Sequence, residues 1–521
     1  MQLWGVRLLD SHDLGQQPLE WFSDPRQQPL SLPIRLLPPY RYLDITELAQ
    51  RQGWQVQVEG QRLKITTPLA QVESLRRGNQ AAGDRLVLNL NRPAPWQVSQ
   101  QGQSLMLTVD AQTAPELAQQ LQHRPGQVPV QIQTGSNQTT LQMMIPATWR
   151  PRIWTLPHPN RLIIDLQPEN PITRDLLWAP GLRWRQQLLS LGASRFPVVW
   201  LVVNPRQPGL SLRPIWGDPA TLVGINPLSA VAGRSQASAA INGGFFNRNR
   251  QLPLGAIRQE GRWISSPILN RGAIAWDEKG RVKMGRLSLQ ETLITANGQR
   301  LSLQSLNSGY VQAGIARYTQ AWGTTYTPLT DNELIVTVQA DRVIAQRPLG
   351  KAGEATLPIP VNGYLLSLRS NRSAASAVAI GTALSLERTL TPDDFDTYPQ
   401  ILAAGPLLLQ NRQIVLDAKQ EQFSDAFIRE TASRSAIATT SEGNLLIVAV
   451  HDRVGGEGPT LGEMAQLLQQ MGALEALNLD GGSSTTLYLG GQLLDRSSRS
   501  AARVHNGIGI FLQPSPEPIR P

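Results

Sequence analysis

The longest aliphatic runs in this chain, residues 198–203 and 445–450, are about six residues each, the length of a strand and far short of the roughly 20 that a helix needs to cross a bilayer. Elsewhere apolar and polar residues alternate with a period of two. Arg85-Leu86-Val87-Leu88-Asn89-Leu90-Asn91 breaks at Pro93 and Pro95 and resumes as Ser104-Leu105-Met106-Leu107-Thr108-Val109. A weaker echo follows. Thr140-Leu141-Gln142-Met143-Met144-Ile145 leads to Trp149, as the first copy leads to Trp96, and Arg161-Leu162-Ile163-Ile164-Asp165-Leu166 closes it. The pattern predicts many short strands, with two similar β-rich units over residues 81–170.

At 521 residues the chain is too long for one core and should hold roughly two to four domains. Residues 44–53 followed by 54–67 predict a short helix and then a hairpin turning at Glu59-Gly60, within a small α/β module over residues 1–80. A linker is expected at residues 168–180, where prolines and mixed charge cluster. Beyond it, residues 180–512 read as an α+β domain with a mixed sheet. Its clearest helix starts at Thr460 as N-cap with Glu463 at capping-box distance, buries Leu461, Met464, Leu467, Leu468 and Met471, and ends at Gly472. Residues 513–521, rich in proline, predict a disordered tail. The N-terminal modules resemble the AMIN and copper amine oxidase N-terminal-type modules of cell envelopes.

The formal charge is +9, but only five of 48 basic residues are lysines and the arginines are scattered. No basic stripe with interleaved aromatics points to nucleic acid. The absence of cysteine excludes disulfides, thiolate metal sites and a cysteine nucleophile, and is compatible with an oxidising compartment. No export signal is visible among the first 20 residues, where Asp10, His12 and Asp13 interrupt any apolar centre.

Two segments carry the clearest chemistry. Asn478-Leu479-Asp480-Gly481-Gly482-Ser483-Ser484 ends an apolar strand with one carboxylate, two glycines and a run of hydroxyls. Gly481 and Gly482 permit a tight turn with open N–H groups, Ser483 and Ser484 offer donors and acceptors, and a capped hairpin turn would look the same. Ile241-Asn242-Gly243-Gly244-Phe245-Phe246 repeats the design with an amide in place of the acid; the phenylalanines are expected in the core. Ser433-Arg434-Ser435-Ala436-Ile437-Ala438 supplies an arginine able to clamp phosphate. His451-Asp452-Arg453 follows a strand, and Arg503-Val504-His505-Asn506-Gly507 precedes the last one. Five histidines make a histidine-rich metal cage an unfavoured expectation, although carboxylates and amides could hold a hard divalent cation.

In this order the segments, together with Ala404-Gly405-Pro406-Leu407 and the Thr460 helix, resemble the phosphodiester glycosidase family over residues 180–512. The resemblance departs at His451-Asp452-Arg453, where the family carries Asp-Gly-Arg, and in a glycine run of two rather than three after Asp480. It implies hydrolysis of a sugar-1-phosphodiester, with Asp480 as base or electrostatic partner and Arg434 on the departing phosphate. Asn242 and Ser483 would hold sugar hydroxyls. Ser484, Gly243, Gly481, Gly482, Arg453, Arg503 and Asp452 complete the expected substrate contacts. The implied partners are a carbohydrate or sugar phosphate and, through the N-terminal modules, peptidoglycan or polysaccharide at the periplasm or cell surface. The rival expectation is a non-catalytic envelope protein that binds polysaccharide with the same residues. A phosphodiesterase of lipid-linked or teichoic-type phosphates is a closer variant.

Overall fold

The computed structural model describes residues 4–60, 62–78, 83–101, 103–119, 127–146, 149–167, 173–496 and 500–513. The residues expected as a tail fall, from 514 on, outside this set. Two compact units emerge, one with residues up to Val199 and the segment Asp452–Glu457, the other with Trp200–His451, Gly458–Arg496 and the residues from Ala501 on. Both are β-rich, with few helices.

In the first unit the expected short helix runs Thr46–Gln52 and stops at Gly53, whose left-handed conformation (φ 66°) lets its N–H donate back into the last turn. Strands Gln55–Glu59 and Arg62–Thr66 form the expected antiparallel hairpin. The two β-rich units expected from the repeat are intertwined. Strand Asp84–Leu90 of the first copy pairs with Asn160–Gln167 of the second, and Ser104–Val109 pairs with Thr139–Met144. Leu86, Leu88, Leu105, Leu107, Leu141, Met143, Leu162 and Ile164 meet in one core. Period-two alternation specifies which face is buried and leaves the partner strand open, so this pairing was not legible. Of the expected linker, residues 168–172 lie outside the described set, and Arg174–Ala179 is a strand paired with Leu182–Leu191.

The second unit carries the candidate chemistry on β1 (Ala239–Asn242), β2 (Leu407–Gln410), β3 (Arg434–Thr440), β4 (Leu445–Val450), α1 (Leu461–Gln470), β5 (Ala473–Asn478), β6 (Leu487–Leu489) and β7 (Asn506–Leu512). Strands β4, β3, β5 and β2 are consecutive neighbours in one sheet; β7, β1 and β6 are consecutive in another. Every residue of β4 is buried, which is why its sequence is an unbroken aliphatic run. Helix α1 has the expected reciprocal cap: the Thr460 hydroxyl accepts from the Glu463 N–H at 3.1 Å and the Thr460 N–H donates to the Glu463 carboxylate at 2.8 Å. Leu461, Met464, Leu467 and Leu468 are buried beneath it. A seven-stranded sheet built from residues 288–391 and a five-stranded one built around Gln400–Ala403 complete the unit.

Register fixes where the polar residues gather. Strand β3 is antiparallel to both neighbours, with Arg434 opposite Val450 of β4 and Ala436 opposite Asn478 of β5. The start of β3 therefore lies at the same sheet end as the last residues of β4 and β5. Two glycines follow strand β1 because nothing larger fits. A Cβ on Gly243 would stand 2.3 Å from the Asn506 Oδ1, and one on Gly244 would stand 2.3 Å from the Ala403 carbonyl oxygen. Gly244→Ala is expected to lower the unfolding free energy by about 1–3 kcal/mol through this overpacking, read from the urea midpoint of the purified variant.

Candidate active site

Asp480 stands one residue beyond Leu479 at the end of β5, partly buried, with its carboxylate accepting from the Gly481 N–H at 3.0 Å. Burial pushes its pKa up, and this outweighs the downward pull of the Ser484 hydroxyl, the Gly481 amide and the Arg248 charge; Glu430 adds to the rise, and the carboxyl comes to about 6. The backbone here is pinned on both sides. The Asp480 N–H donates to the Gly243 carbonyl at 2.9 Å, and the Gly482 N–H donates to the Ser433 carbonyl at 2.7 Å.

Arg434, the first residue of β3, has no exposed surface. Its Nη2 donates to the Glu430 carbonyl at 2.6 Å and its Nε to the Pro459 carbonyl at 3.3 Å, while the guanidinium lies 5.2 Å from the centre of the Phe427 ring. Burial pushes its pKa down; the nearby Glu430 and Asp480 carboxylates pull it back up. The buried Nη1 makes no hydrogen bond among the described residues. It faces the glycine turn after Asp480: a Cβ on Gly481 would lie 3.7 Å from it and 3.0 Å from the Ser433 carbonyl oxygen. A buried donor left unpaired on a cation is costly, and an anion at this spot satisfies it.

Asn242 ends β1 with its amide wholly inside the protein. Its Nδ2 donates to the Asp480 carbonyl at 2.6 Å, and its Oδ1 accepts from the Ser435 hydroxyl at 2.7 Å and the Thr486 N–H at 3.0 Å. It fixes the acid's backbone. Ser483 is exposed, whereas Ser484 is buried beside the Asp480 carboxyl. Gly243, like Gly244, is packed against neighbouring backbone and side chains. Asn478 donates through Nδ2 to the Gly405 carbonyl at 2.9 Å and the Leu479 carbonyl at 2.7 Å, which ties the Gly405-Pro406 turn to the same sheet end.

The remaining expected contacts have other partners. Asp452 and Arg453 belong to the first unit, where Arg453 donates to the Ser194 hydroxyl at 2.8 Å and covers the Phe196 ring at 4.7 Å. Arg503 is exposed on a two-residue ladder with Asn226–Pro227. His505 is buried and pushed down to about 4 by that burial, with Nε2 donating to the Leu222 carbonyl at 2.6 Å. Phe245 is half-buried and packs edge-on against Phe423 and Phe427 at 5.4 and 5.5 Å. Among the described residues no three His, Asp or Glu side chains converge as metal ligands would. Asp495 and Arg496 were not anticipated. Arg496 donates to the Gly482 and Ser483 carbonyls, both at 3.2 Å, and so clamps the turn after the acid. No local motif announces either residue.

Residues 332–511 match the phosphodiester glycosidase family. Among curated proteins, the N-acetylglucosamine-1-phosphodiester alpha-N-acetylglucosaminidase of Mus musculus is 30% identical over 119 residues, 21% of this chain and 23% of that protein. That of Homo sapiens is 29% identical over 119 residues, again 21% and 23% of the two chains. The chain thus spans under a quarter of the curated relatives it matches. Among solved structures, a hypothetical protein from Synechocystis is 46% identical with a TM-score of 0.92, covering 98% of this chain and 93% of that one. A Burkholderia pseudomallei K96243 protein described as exported is 18% identical with a TM-score of 0.52 over 86% of this chain and 100% of that one, a likeness of fold alone.

Two outcomes follow for stability. Asp480 binds its proton more tightly in the folded state, with its pKa raised from 3.8 to about 6, so its contribution is complete below pH 4 and is lost as pH rises through 6. Asp480→Asn should therefore be more stable than wild type at pH 8, by about 2 kcal/mol, with the difference shrinking towards pH 4 in urea titrations at several pH values. Asn242→Ala should cost at least about 2 kcal/mol, because it strands a buried carbonyl, hydroxyl and N–H together; chemical denaturation measures it directly.

Proposed function

We propose that this chain, whose residues 332–511 match the phosphodiester glycosidase family, hydrolyses sugar-1-phosphodiesters at the β3–β5 sheet end. One observation carries the reading: a carboxylate raised to about 6 and a buried guanidinium with an unpaired nitrogen face the same glycine turn. The glycosidic bond to phosphate breaks with the electron pair leaving on a phosphate oxygen, which needs less acid assistance than an alcohol would. Arg434 receives the departing phosphate through Nη1 and accumulates favourable interaction as negative charge builds there. Asp480, ionised above pH 6, faces the positive charge developing at the anomeric carbon. Ser483, exposed on the turn, is the hydroxyl placed to meet the sugar, and Asn242 positions Asp480 from behind. The name of the curated relatives makes an N-acetylglucosamine-type sugar the first substrate to try.

We assign the substrate pool to cell-envelope or exopolysaccharide glycans at the periplasm or cell surface, with the N-terminal β modules binding polysaccharide or peptidoglycan. The β-rich build of those modules and the cysteine-free sequence support this assignment. The test is release of free sugar from uridine diphosphate N-acetylglucosamine or an aryl sugar-1-phosphate, with and without added divalent cation. Turnover should vanish in Asp480→Asn, and in wild type it should fall as pH drops below about 6, as the carboxylate is protonated. Absence of turnover together with polysaccharide binding would make this a binding module.

A further inference from the structure

The turn after Asp480 is bordered by a second polar group that the proposed chemistry does not yet use. His451 follows the last residue of β4, across the sheet end from Ser433 and Arg434. Its Nε2 lies 2.9 Å from the Asp495 Oδ2, and its Nδ1 lies 3.3 Å from the Ser433 hydroxyl and 3.4 Å from the Arg496 Nη2. The Asp495 side chain has no exposed surface; its other oxygen accepts the Leu487 N–H at 2.8 Å, so it is held in place from β6.

A carboxylate can only accept, so the Nε2 proton points at Asp495 and the Nδ1 lone pair is left facing Ser433 and Arg496. This is the arrangement in which an aspartate fixes the tautomer of a histidine whose other nitrogen takes a proton from a hydroxyl. Asp495 and Arg496 both face the ring, and Arg496 is also bound to the turn carbonyls of Gly482 and Ser483. Ser433 is 9% exposed, precedes Arg434, and gives its carbonyl to the Gly482 N–H. Ser433 thus directly precedes the guanidinium assigned to phosphate, and its carbonyl is bonded to the turn that carries Asp480.

We propose that Ser433 and His451, oriented by Asp495, form the proton-accepting relay of this reaction. The inference rests on the sugar-phosphodiester reading of the same site. Water forms its bond to the anomeric carbon and gives a proton to the Ser433 oxygen as the Ser433 proton passes to the His451 Nδ1. The carbon–oxygen bond to phosphate breaks, and its electron pair leaves with the phosphate at Arg434. The imidazolium then returns its proton to solvent or to the phosphate. Asp480 is thereby left to act as the electrostatic partner of the anomeric carbon rather than as the base.

The experiment measures release of free sugar from an aryl sugar-1-phosphate by full-length wild type, His451→Gln, His451→Ala, Asp495→Asn and Asp480→Asn. His451→Gln should lower kcat by about 10²- to 10⁴-fold with KM nearly unchanged. Asp495→Asn should lower kcat in the same direction, since the histidine loses its orienting acceptor. Added imidazole should restore part of the rate to His451→Ala and none to Asp480→Asn, a response that a merely structural histidine would not give. Urea midpoints near wild type show that the variants fold; if His451→Gln unfolds, imidazole rescue of His451→Ala decides. Wild-type turnover that Asp480→Asn abolishes but His451→Gln and His451→Ala leave intact overturns the relay alone. No wild-type turnover overturns the function reading and the relay with it.

Discussion

One buried amide holds this site together. Asn242 ends a strand of one sheet, yet its Oδ1 accepts from Ser435 of the neighbouring sheet and from the backbone of Thr486, and its Nδ2 holds the carbonyl of Asp480. Such an amide is tolerated only because its oxygen and nitrogen both find partners. The acid is thereby tied at its carbonyl by Asn242 and at its N–H by Gly243. Its carboxylate has a fixed origin, and the glycines that follow bring the turn within reach of Arg434.

The electrostatics follow from that placement. Removing Asp480 from water raises its pKa and removing Arg434 from water lowers the arginine's, while the Asp480 carboxylate makes the Arg434 charge easier to keep. Arg434 nevertheless spends only part of its hydrogen-bonding capacity, on the Glu430 and Pro459 carbonyls. A guanidinium fixed by backbone acceptors on one edge and buried with an unpaired nitrogen on another is held in a set orientation, with one donor left to satisfy. The Phe427 ring keeps water from that face.

Much of this was legible in the sequence. The Thr460 cap, the aliphatic run of β4 and the strand before Asp480 each rest on local chemistry, and each is where that chemistry puts it. The pairing of Asp84–Leu90 with Asn160–Gln167 was not, because alternation says which side of a strand is buried and nothing about its neighbour. Asn242 was readable as a special residue, while its attachment to the backbone beneath the acid depends on two sheets meeting. Asp495 is the clearest omission. It lies far along the chain from His451 in a segment with no motif, and only the β6 connection brings the two together. Asp452 and Arg453 show the reverse: adjacent in sequence to His451, they serve the other unit.

Strand β1 lies between β7 and β6 in its sheet, yet at residues 239–242 it precedes the family-matching segment 332–511 by some ninety residues. Excising that segment would open two strand edges in the middle of a sheet, each a row of bare N–H and C=O groups ready to recruit another chain. The family match therefore outlines a piece of an interleaved body rather than a detachable module. Evolution by shuffling could move this chemistry between proteins only by carrying its distant central strand along.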